Sequence, residues 1–296
     1  MKRMKKAATT AATLLLTIGL FAGCAGTPAA STAASSAAPS SPAASADASS
    51  AAGASSSEKP LAGKHLVMAI NAEYPPFESK DSSGKIVGFD VDVNDALAAK
   101  LGYTYEMKDM DFTGLISAIT SKRCDYLISA LSANAEREKV VDFSDGYFDP
   151  VTAMIIPKTS GIQSVTDLKG KKLGVSLGTE FEKFAKAETG STVVTYQGLT
   201  TAIPLIGTKE LDAAIVDSSN AFAFCAKNPK LTYKIIKFSE TGDYFHPYAM
   251  AFQKNSGLKE VFNKALKELE DDGTMNTLMQ KWFGDEYVKS LAEAKQ

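Results

Sequence analysis

The sequence predicts an α/β fold of two similar lobes, and three observations carry this prediction. From residue 61 onward, short apolar runs alternate with amphipathic segments, the pattern of a sheet with crossover helices. The chain also resembles itself, since 63–74 aligns without gaps on 170–181, and 115–130 on 202–217. A further strand and two helices follow the second unit, so the chain end is expected to return to the first lobe. The two crossings between the lobes would then form a hinge.

Each predicted strand is a short apolar run bounded by turn residues. The predicted strands are 65–70, 103–108, 125–129, 151–157, 172–176, 192–196, 212–216 and 248–253. Helices are predicted at 89–101, 114–121 and 258–269, where apolar residues recur on one face. An internal duplication and the general likeness of βαβ units both explain the self-similarity, and both predict two similar lobes. Phe77 and Trp282 are expected in the core.

Composition excludes several classes of function. The 296 residues are 45% hydrophobic, enough for proper cores. Lysine and arginine total 32 against 34 acids, which gives no electrostatic reason to expect a nucleic-acid partner. The chain lacks the HExxH, GxSxG, Walker and GxGxxG motifs, and its few cysteines and histidines show no zinc spacing. We therefore expect no metal, no cofactor and no catalysis of these common kinds.

The first residues resemble a targeting segment. Four basic residues precede a carboxylate-free stretch at 7–23, which at about 17 residues is better suited to an export signal than to a membrane span. The following Phe21-Ala22-Gly23-Cys24 resembles a bacterial lipobox, which implies that Cys24 is lipid-modified and anchors an exported protein to the outer face of the cell membrane. An ordinary cleaved signal with an incidental cysteine is the alternative. Residues 25–59 are mostly Ala, Ser, Thr, Gly and Pro, so we expect a disordered tether.

These observations divide the chain into predicted segments. They are a signal peptide at 1–23, an anchor and linker at 24–60, the first part of lobe 1 at 61–150, lobe 2 at 151–245, and the return to lobe 1 at 246–296. Cys124 and Cys225 then fall in different lobes. A disulfide between them would restrain any hinge, so we expect two free, largely buried thiols.

Six short motifs carry a resemblance to a known family. They are Glu73-Tyr74-Pro75-Pro76-Phe77-Glu78, Gly88-Phe89-Asp90-Val91-Asp92, Met110 to Ile116, Ala135-Glu136-Arg137, Val141-Asp142-Phe143-Ser144 and Leu177-Gly178-Thr179. Together they resemble the polar amino-acid-binding proteins of ABC importers, the family 3 solute-binding proteins, from about residue 63 to 283. The resemblance implies the type II periplasmic-binding-protein fold, in which two lobes close like a Venus flytrap. It also implies capture of a free amino acid, delivery to membrane permease subunits and no catalysis, and we expect a monomer.

An α-amino acid presents one carboxylate and one ammonium, and both need partners when water is excluded. The resemblance assigns the carboxylate to Arg137, whose planar guanidinium can bind it bidentately. Without the resemblance, Arg137 would be a solvated charge within a charged run. Asn134, three residues earlier, can cap a helix start. The family places an aspartate for the ammonium at Asp217, which can also serve as a helix N-cap.

Further ligand contacts are expected from both lobes. Gly178 and Thr179 follow a strand and precede a helix, so their amides can point a helix N-terminus at the ligand carboxylate, although a routine turn explains them too. Ser129 and Ser132 match positions whose carbonyl and hydroxyl groups contact the ligand in relatives. Tyr74 matches an aromatic wall of the pocket, with core packing as the alternative.

A second aromatic wall and the selectivity positions complete the expected site. Phe112 matches the other wall, again with core packing as the alternative. Relatives specialised for cationic amino acids often carry an aspartate where this chain has Asn71, so one anion is missing here. Glu73 or Glu180 could compensate, and Glu180 itself replaces a Thr or Ser of many relatives. Polar, neutral and cationic ligands therefore all remain open.

Two rival functions use the same fold. Some extracytoplasmic dehydratases act on prephenate or arogenate, and they need an acid or base in the cleft, for which Glu73 or Glu180 would be available. A ligand-sensing module that reports occupancy to a receptor is the other rival.

Overall fold

The computed structural model of the protein describes residues 59–294. The predicted signal peptide, Cys24 and nearly all of the predicted linker lie outside the described residues. Within the described part, no helix is both long and apolar enough to cross a bilayer.

Strands and helices alternate along most of the chain. The strands are β1 (His65–Ile70), β2 (Glu73–Tyr74), β3 (Glu78–Lys80), β4 (Ile86–Val87), β5 (Thr104–Asp109), β6 (Tyr126–Leu127), β7 (Val141–Phe143), β8 (Thr152–Pro157), β9 (Lys172–Ser176), β10 (Thr192–Tyr196), β11 (Ala213–Asp217), β12 (Leu231–Ile235) and β13 (Ala251–Gln253). The helices are α1 (Phe89–Leu101), α2 (Leu115–Thr120), α3 (Glu180–Glu188), α4 (Leu199–Ala202), α5 (Ser218–Lys227), α6 (Phe238–Thr241), α7 (Leu258–Asp271), α8 (Thr274–Phe283) and α9 (Asp285–Ala294).

The first lobe is built on a sheet that combines early strands with one late strand. β1 lies between β5 and β6 and is parallel to both, while β13 lies antiparallel between β6 and β7. Side chains of α1, α7 and α8 form the core on one face, and those of α2 form it on the other. The late strand β13 shows that the chain end returns to this sheet.

The second lobe repeats the arrangement. β9 lies between β10 and β11 and is parallel to both, while β8 lies antiparallel between β11 and β12. Each sheet therefore has three parallel strands, then one antiparallel strand, then one parallel strand. The predicted α/β fold with two similar lobes is confirmed.

Two connections join the sheets, at 144–151 and at 236–250. The predicted lobe boundaries, after residue 150 and after residue 245, fall within these connections. The exact points at which each lobe ends stay predictions.

Several elements differ from their predicted extent. The predicted strand 248–253 is shorter, because Tyr248 forms isolated bridges to Ser132 and Phe148 instead of joining β13. The strand β12 was not predicted, although its alternating Leu231 and Tyr233 carry the signal of a strand. The small sheet of β2, β3 and β4 was not predicted either, since strands of two or three residues are too short to show a period.

The turn before α1 requires glycine. Gly88 has a φ of 154°, and a Cβ atom at this position would lie 1.9 Å from the carbonyl oxygen of Phe77. The close approach helps to hold Phe77, which is fully buried as predicted. Its ring packs edge-on against Phe148, with centroids 4.8 Å apart.

Trp282 is only half-buried, so it is less buried than its predicted place in the core implies. Its ring packs at the edge of the first-lobe core, and its indole N–H donates to Asp92 of α1. An indole nitrogen needs a hydrogen-bond partner when it leaves water, which explains why the side chain stays at the surface near a carboxylate.

Cys124 and Cys225 are free thiols, as predicted. Cys124 precedes β6 in the first lobe, and Cys225 lies in α5 of the second lobe. Cys124 is buried, whereas Cys225 is only half-buried and thus less buried than expected. Burial raises the pKa of both thiols, to about 11 for Cys225.

Two carboxyl groups share a buried site in the first lobe. Glu78 and Asp90 are 1% and 0% exposed. Glu78 accepts a hydrogen bond from the Ser129 hydroxyl at 2.9 Å, and Asp90 accepts from the Ala130 amide at 2.7 Å and the Tyr147 hydroxyl at 2.9 Å. The other oxygen of each carboxyl, Oε2 of Glu78 and Oδ1 of Asp90, has no donor among residues 59–294. We infer that the two groups hold a proton between them, which would satisfy both oxygens.

The raised pKa values agree with a shared proton. Burial raises the pKa of Asp90 to about 6. Burial, and then the neighbouring Asp90 charge, raise the pKa of Glu78 well above its usual range. Removing this proton leaves two negative charges in a site that excludes water, which is costly.

We expect Glu78→Gln to change the pH dependence of stability. Because the folded state keeps a proton with a raised pKa, this contribution is fully present below the unfolded pKa of about 4 and is lost as the pH rises through about 6 and above. An amide at position 78 donates to Asp90 without titrating. The free energy of unfolding of the variant, relative to wild type, should therefore rise between about pH 4.5 and 8.

Urea unfolding at a series of pH values measures this difference. Glu260→Gln is a suitable control, because Glu260 is an exposed carboxylate of α7. Unfolding free energies of Glu78→Gln that run parallel to those of wild type would contradict the shared proton.

Candidate functional site

A cavity lies between the two sheets and takes its walls from both lobes. The first lobe and the connections contribute Asn71, Glu73, Tyr74, Glu78, Phe112, Ser129, Ala130, Ser132, Arg137 and Tyr248. The second lobe contributes Ser176, Thr179, Glu180, Phe181, Gln197 and Gly198. Much of this lining follows the carboxyl ends of parallel strands, the edge at which open α/β sheets bind ligands.

Most of the predicted site residues meet at this cavity. Those that line it are Asn71, Glu73, Tyr74, Phe112, Ser129, Ser132, Arg137 and Thr179. Gly178 and Asp217 do not line it, although each contacts a residue that does.

Arg137 connects the two lobes. It begins a short 3-10 helix in the first lobe, whose N-cap residue is Glu136 and not the predicted Asn134, although the Asn134 side chain accepts from the Arg137 backbone N–H at 2.8 Å. Its guanidinium donates to the Ser132 carbonyl at 2.7 Å and to the Gly178 carbonyl of the second lobe at 3.0 Å. It also lies 5.8 Å from the centre of the Phe112 ring. The other guanidinium N–H groups have no partner among residues 59–294, so they can bind an anion.

Glu180 uses its carboxylate in a second contact between the lobes. Its Oε1 accepts from the Asn134 amide at 2.6 Å and from Lys183 at 3.2 Å. Lys183 also pairs with Glu136 of the first lobe at 3.4 Å. The Glu180 carboxylate, which stands where many relatives carry Thr or Ser, is therefore bonded to one residue from each lobe.

The start of α3 binds a carboxylate from its own chain. Thr179 is the N-cap, and its hydroxyl accepts from the Glu182 amide at 3.3 Å and donates to the Ser176 carbonyl at 2.7 Å. The Gly178 amide donates to the Glu182 carboxylate at 2.6 Å. The Gly178 N–H that was expected to face a ligand is thus already bonded to Glu182, and Thr179 is the residue of this pair that reaches the cavity.

Asp217 is a fully buried carboxyl group close to the cavity. It ends β11, is fully buried and caps α5, where its Oδ1 accepts from the Ser219 amide at 2.7 Å. Its Oδ2 has no hydrogen-bond partner among the described residues. Burial raises the pKa of Asp217 to about 7. Its backbone N–H lies 3.4 Å from the hydroxyl of Tyr74, which places Asp217 directly behind a wall of the cavity.

Ser129 and Ser132 support the site in different ways. The Ser129 hydroxyl is fully buried, accepts from the Asn71 amide at 3.0 Å and donates to Glu78 at 2.9 Å. It therefore connects the cavity wall to the buried carboxyl pair. Ser132 offers its carbonyl to Arg137 and orients the guanidinium.

Asn71 and Glu73 lie at the ends of neighbouring structural elements in the first lobe. The Asn71 side chain donates to the Met110 carbonyl at 2.9 Å, which leaves its amide oxygen as an acceptor. Glu73 begins β2 and is exposed at the cavity edge. It packs against Gly198 of the second lobe so closely that a Cβ atom at Gly198 would lie 2.1 Å from the Glu73 carboxylate.

Sequence reasoning missed part of the lining. Gln197 and Gly198 follow β10 directly, and their position at the carboxyl end of a parallel strand is the signal that could have found them. Tyr248 comes from a connection between the lobes and had no such signal. The Glu78 carboxyl was within a quoted motif, but its burial beneath Ser129 depends on tertiary packing.

Comparisons with known proteins agree with this geometry. A model of the bacterial extracellular solute-binding proteins, family 3, matches residues 66–285. The arginine-binding extracellular protein ArtP of Bacillus subtilis (strain 168) is 40% identical over 240 residues, which cover 79% of this chain and 92% of that protein.

Two solved structures are similar over nearly their whole length. The substrate binding protein of an amino acid ABC transporter is 35% identical with a TM-score of 0.69, covering 74% of this chain and 99% of that one. The ancestral amino acid-binding protein AncCDT-1, a precursor of cyclohexadienyl dehydratase, is 31% identical with a TM-score of 0.67, covering 74% and 95%.

The family model spans most of the chain, and the relative in Bacillus subtilis exceeds 30% identity over more than two thirds of it. Two α/β lobes of the same strand arrangement enclose the cavity. The chain belongs to the bacterial extracellular solute-binding proteins, family 3.

Proposed function

We propose that the chain is the extracytoplasmic receptor of an ABC importer, which captures a free amino acid between its lobes and delivers it to membrane permease subunits. The observation that carries this proposal is a cavity between two lobes with an arginine on one side and an unpaired buried aspartate behind the other. The names of its relatives, an arginine-binding extracellular protein and a substrate binding protein of an amino acid ABC transporter, support the same function.

Arg137 binds the negatively charged group of the ligand, and Asp217 binds the positively charged one. The free N–H groups of the Arg137 fork bind the α-carboxylate, and the open Oδ2 of Asp217 accepts from the α-ammonium. Tyr74 lines the cavity and contacts the Asp217 backbone N–H, so we expect its ring to shift when the ammonium reaches the Asp217 carboxylate. A charge-assisted hydrogen bond of this kind contributes roughly 1.5–3 kcal/mol. Tyr74 and Phe112 flank the ligand stem and exclude water.

Closure and binding are coupled through contacts between the lobes. Arg137 to Gly178 and Asn134 to Glu180 are bonds that only a closed cleft can form. Lobe 1 comprises 61–150 and 246–296, lobe 2 comprises 151–245, and the two connections act as the hinge. A ligand that touches both lobes favours the closed form by its extra affinity for that form.

The protein acts as an exported binding protein without turnover. Glu180, one of the two carboxylates that a dehydratase could use, is paired with Lys183. Cys24 carries the lipid that anchors a monomer to the outer face of the cell membrane. Intact-mass analysis of membrane-extracted protein tests the lipid, and incubation with prephenate and arogenate tests the dehydratase alternative, for which we expect no product.

A thermal-shift screen tests the proposed function. The screen covers the twenty amino acids, cystine and ornithine, and calorimetry follows on each hit. A ligand that binds the folded protein raises its melting temperature by mass action. One or a few strong shifts support an amino-acid receptor, while a folded protein with no shift would contradict it.

We expect Arg137→Ala to lower the affinity for every ligand amino acid by at least about a hundredfold, because it leaves the α-carboxylate unpaired in a closed cleft. Calorimetry measures the affinity, and circular dichroism checks the fold. Arg123→Ala is the matched control, since Arg123 is an exposed arginine outside the cavity. Equal affinities in the Arg137 and Arg123 variants would remove Arg137 from the site.

We expect Asp217→Asn to weaken all α-amino acids by a similar factor, because every one of them carries the same ammonium. Asparagine is also a good N-cap, so α5 should stay folded. The ligand requires the ionised carboxylate, so the dissociation constant of wild type should rise about tenfold per pH unit as the pH falls below about 7.

Titration calorimetry from about pH 5 to 8 measures this slope. The Asp217→Asn variant should lose the slope, and Asp271→Asn on the exposed face of α7 should keep it. A slope that survives in Asp217→Asn would assign the titration to another group.

A further inference from the structure

More carboxylates line the cavity than an amino acid backbone requires. Three carboxylates line it, from Glu73, Glu78 and Glu180, against the single cation of Arg137. Each of these charges has an assignable partner except one. The exception is informative because the proposed function already uses Arg137 and Asp217 for the ligand backbone.

Glu78 and Glu180 are satisfied within the protein. Glu78 is fully buried beside Asp90, where burial raises its pKa and favours the neutral form, and it accepts from Ser129. Glu180 accepts from Asn134 and from the Lys183 ammonium. Neither carboxylate needs a cation from the ligand.

Glu73 has no such partner. Its carboxylate makes no hydrogen bond or ion pair with any residue of 59–294, and Lys80, whose charge acts on it, is bonded to Asp109 at 2.6 Å. The neighbouring cavity positions offer further acceptors, because the Asn71 side-chain oxygen and the Gln197 side chain also have no partner in the described part of the chain. An acceptor-rich end with one unpaired carboxylate suits a group that is positively charged and carries several N–H donors.

Arg137 and Glu73 contact two neighbouring strand ends of the second lobe. Ser176 and Tyr196 are paired across β9 and β10. Gly178 and Gly198 each lie two residues beyond that pair, at neighbouring strand ends. Gly178 accepts from Arg137, and Gly198 lies against Glu73. One ligand can therefore contact the cation at one strand end and the anion at the next.

We infer that the Glu73 carboxylate selects ligands whose side chain carries a positive charge, so that the protein prefers cationic amino acids over neutral ones of the same shape. The inference rests on the proposed function and names its substrate class. Gly198 makes room for Glu73, because any side chain there would collide with the carboxylate when the cleft is closed.

Arginine and citrulline provide the sharpest test. They have the same length, and citrulline replaces the guanidinium by a neutral urea group. Wild type should bind arginine at least about tenfold more tightly than citrulline, as expected for one charge-assisted contact. In Glu73→Gln the ratio of the two dissociation constants should fall towards one, mainly through weaker arginine binding.

Glu260→Gln is the control, because Glu260 is an exposed acid of α7 that does not line the cavity. This variant should keep the arginine preference of wild type, which separates a direct contact from a change in overall charge. Arginine binding to wild type should also weaken with added salt more than arginine binding to Glu73→Gln does.

The outcomes separate the inference from the function on which it rests. A protein that binds a neutral amino acid more tightly than arginine, lysine or ornithine, with a preference unchanged in Glu73→Gln, would overturn the role of Glu73 and leave the receptor function in place. A folded wild type that binds none of the amino acids of the screen would overturn the receptor function itself.

Discussion

The Arg137 guanidinium ties the site to the closed arrangement of the lobes. It is oriented by the Ser132 carbonyl of its own lobe and reaches the Gly178 carbonyl of the other. Since carbonyl oxygens neutralise a cation only in part, the fork keeps both its charge and its free N–H groups for an anion. The same side chain can therefore bind a carboxylate and hold the cleft shut, and a ligand that engages it acts on both lobes at once.

Much of this organisation could be predicted because it follows from local pattern. Apolar alternation located the central strands, and the likeness of 63–74 to 170–181 corresponds to β1 and β9, which occupy the same place in their sheets. Arg137, Thr179 and Tyr74 could be assigned through motifs that lie near strand or helix ends. The cavity brings them together because strand ends of both lobes face it.

The remaining features depend on tertiary contacts that no short segment encodes. The Glu180 carboxylate accepts a hydrogen bond from Asn134 of the first lobe and is neutralised by Lys183 of the second lobe. Gly178 lost its expected amide contact because Glu182, one turn along α3, competes for it. The pairing of Glu78 with Asp90 likewise arises only when β3 and α1 pack together.

Trp282 has a practical consequence for spectroscopy. It is the single tryptophan of the chain, and it lies in α8 at the edge of the first-lobe core, where its indole is bonded to Asp92 and does not line the cavity. Its fluorescence therefore reports the unfolding of that helix layer during denaturation. We expect the fluorescence to change little when a ligand binds in the cleft. A fluorescent report of lobe closure needs a dye on an introduced exposed cysteine, because the half-buried Cys225 thiol, with its pKa raised to about 11, is a poor nucleophile.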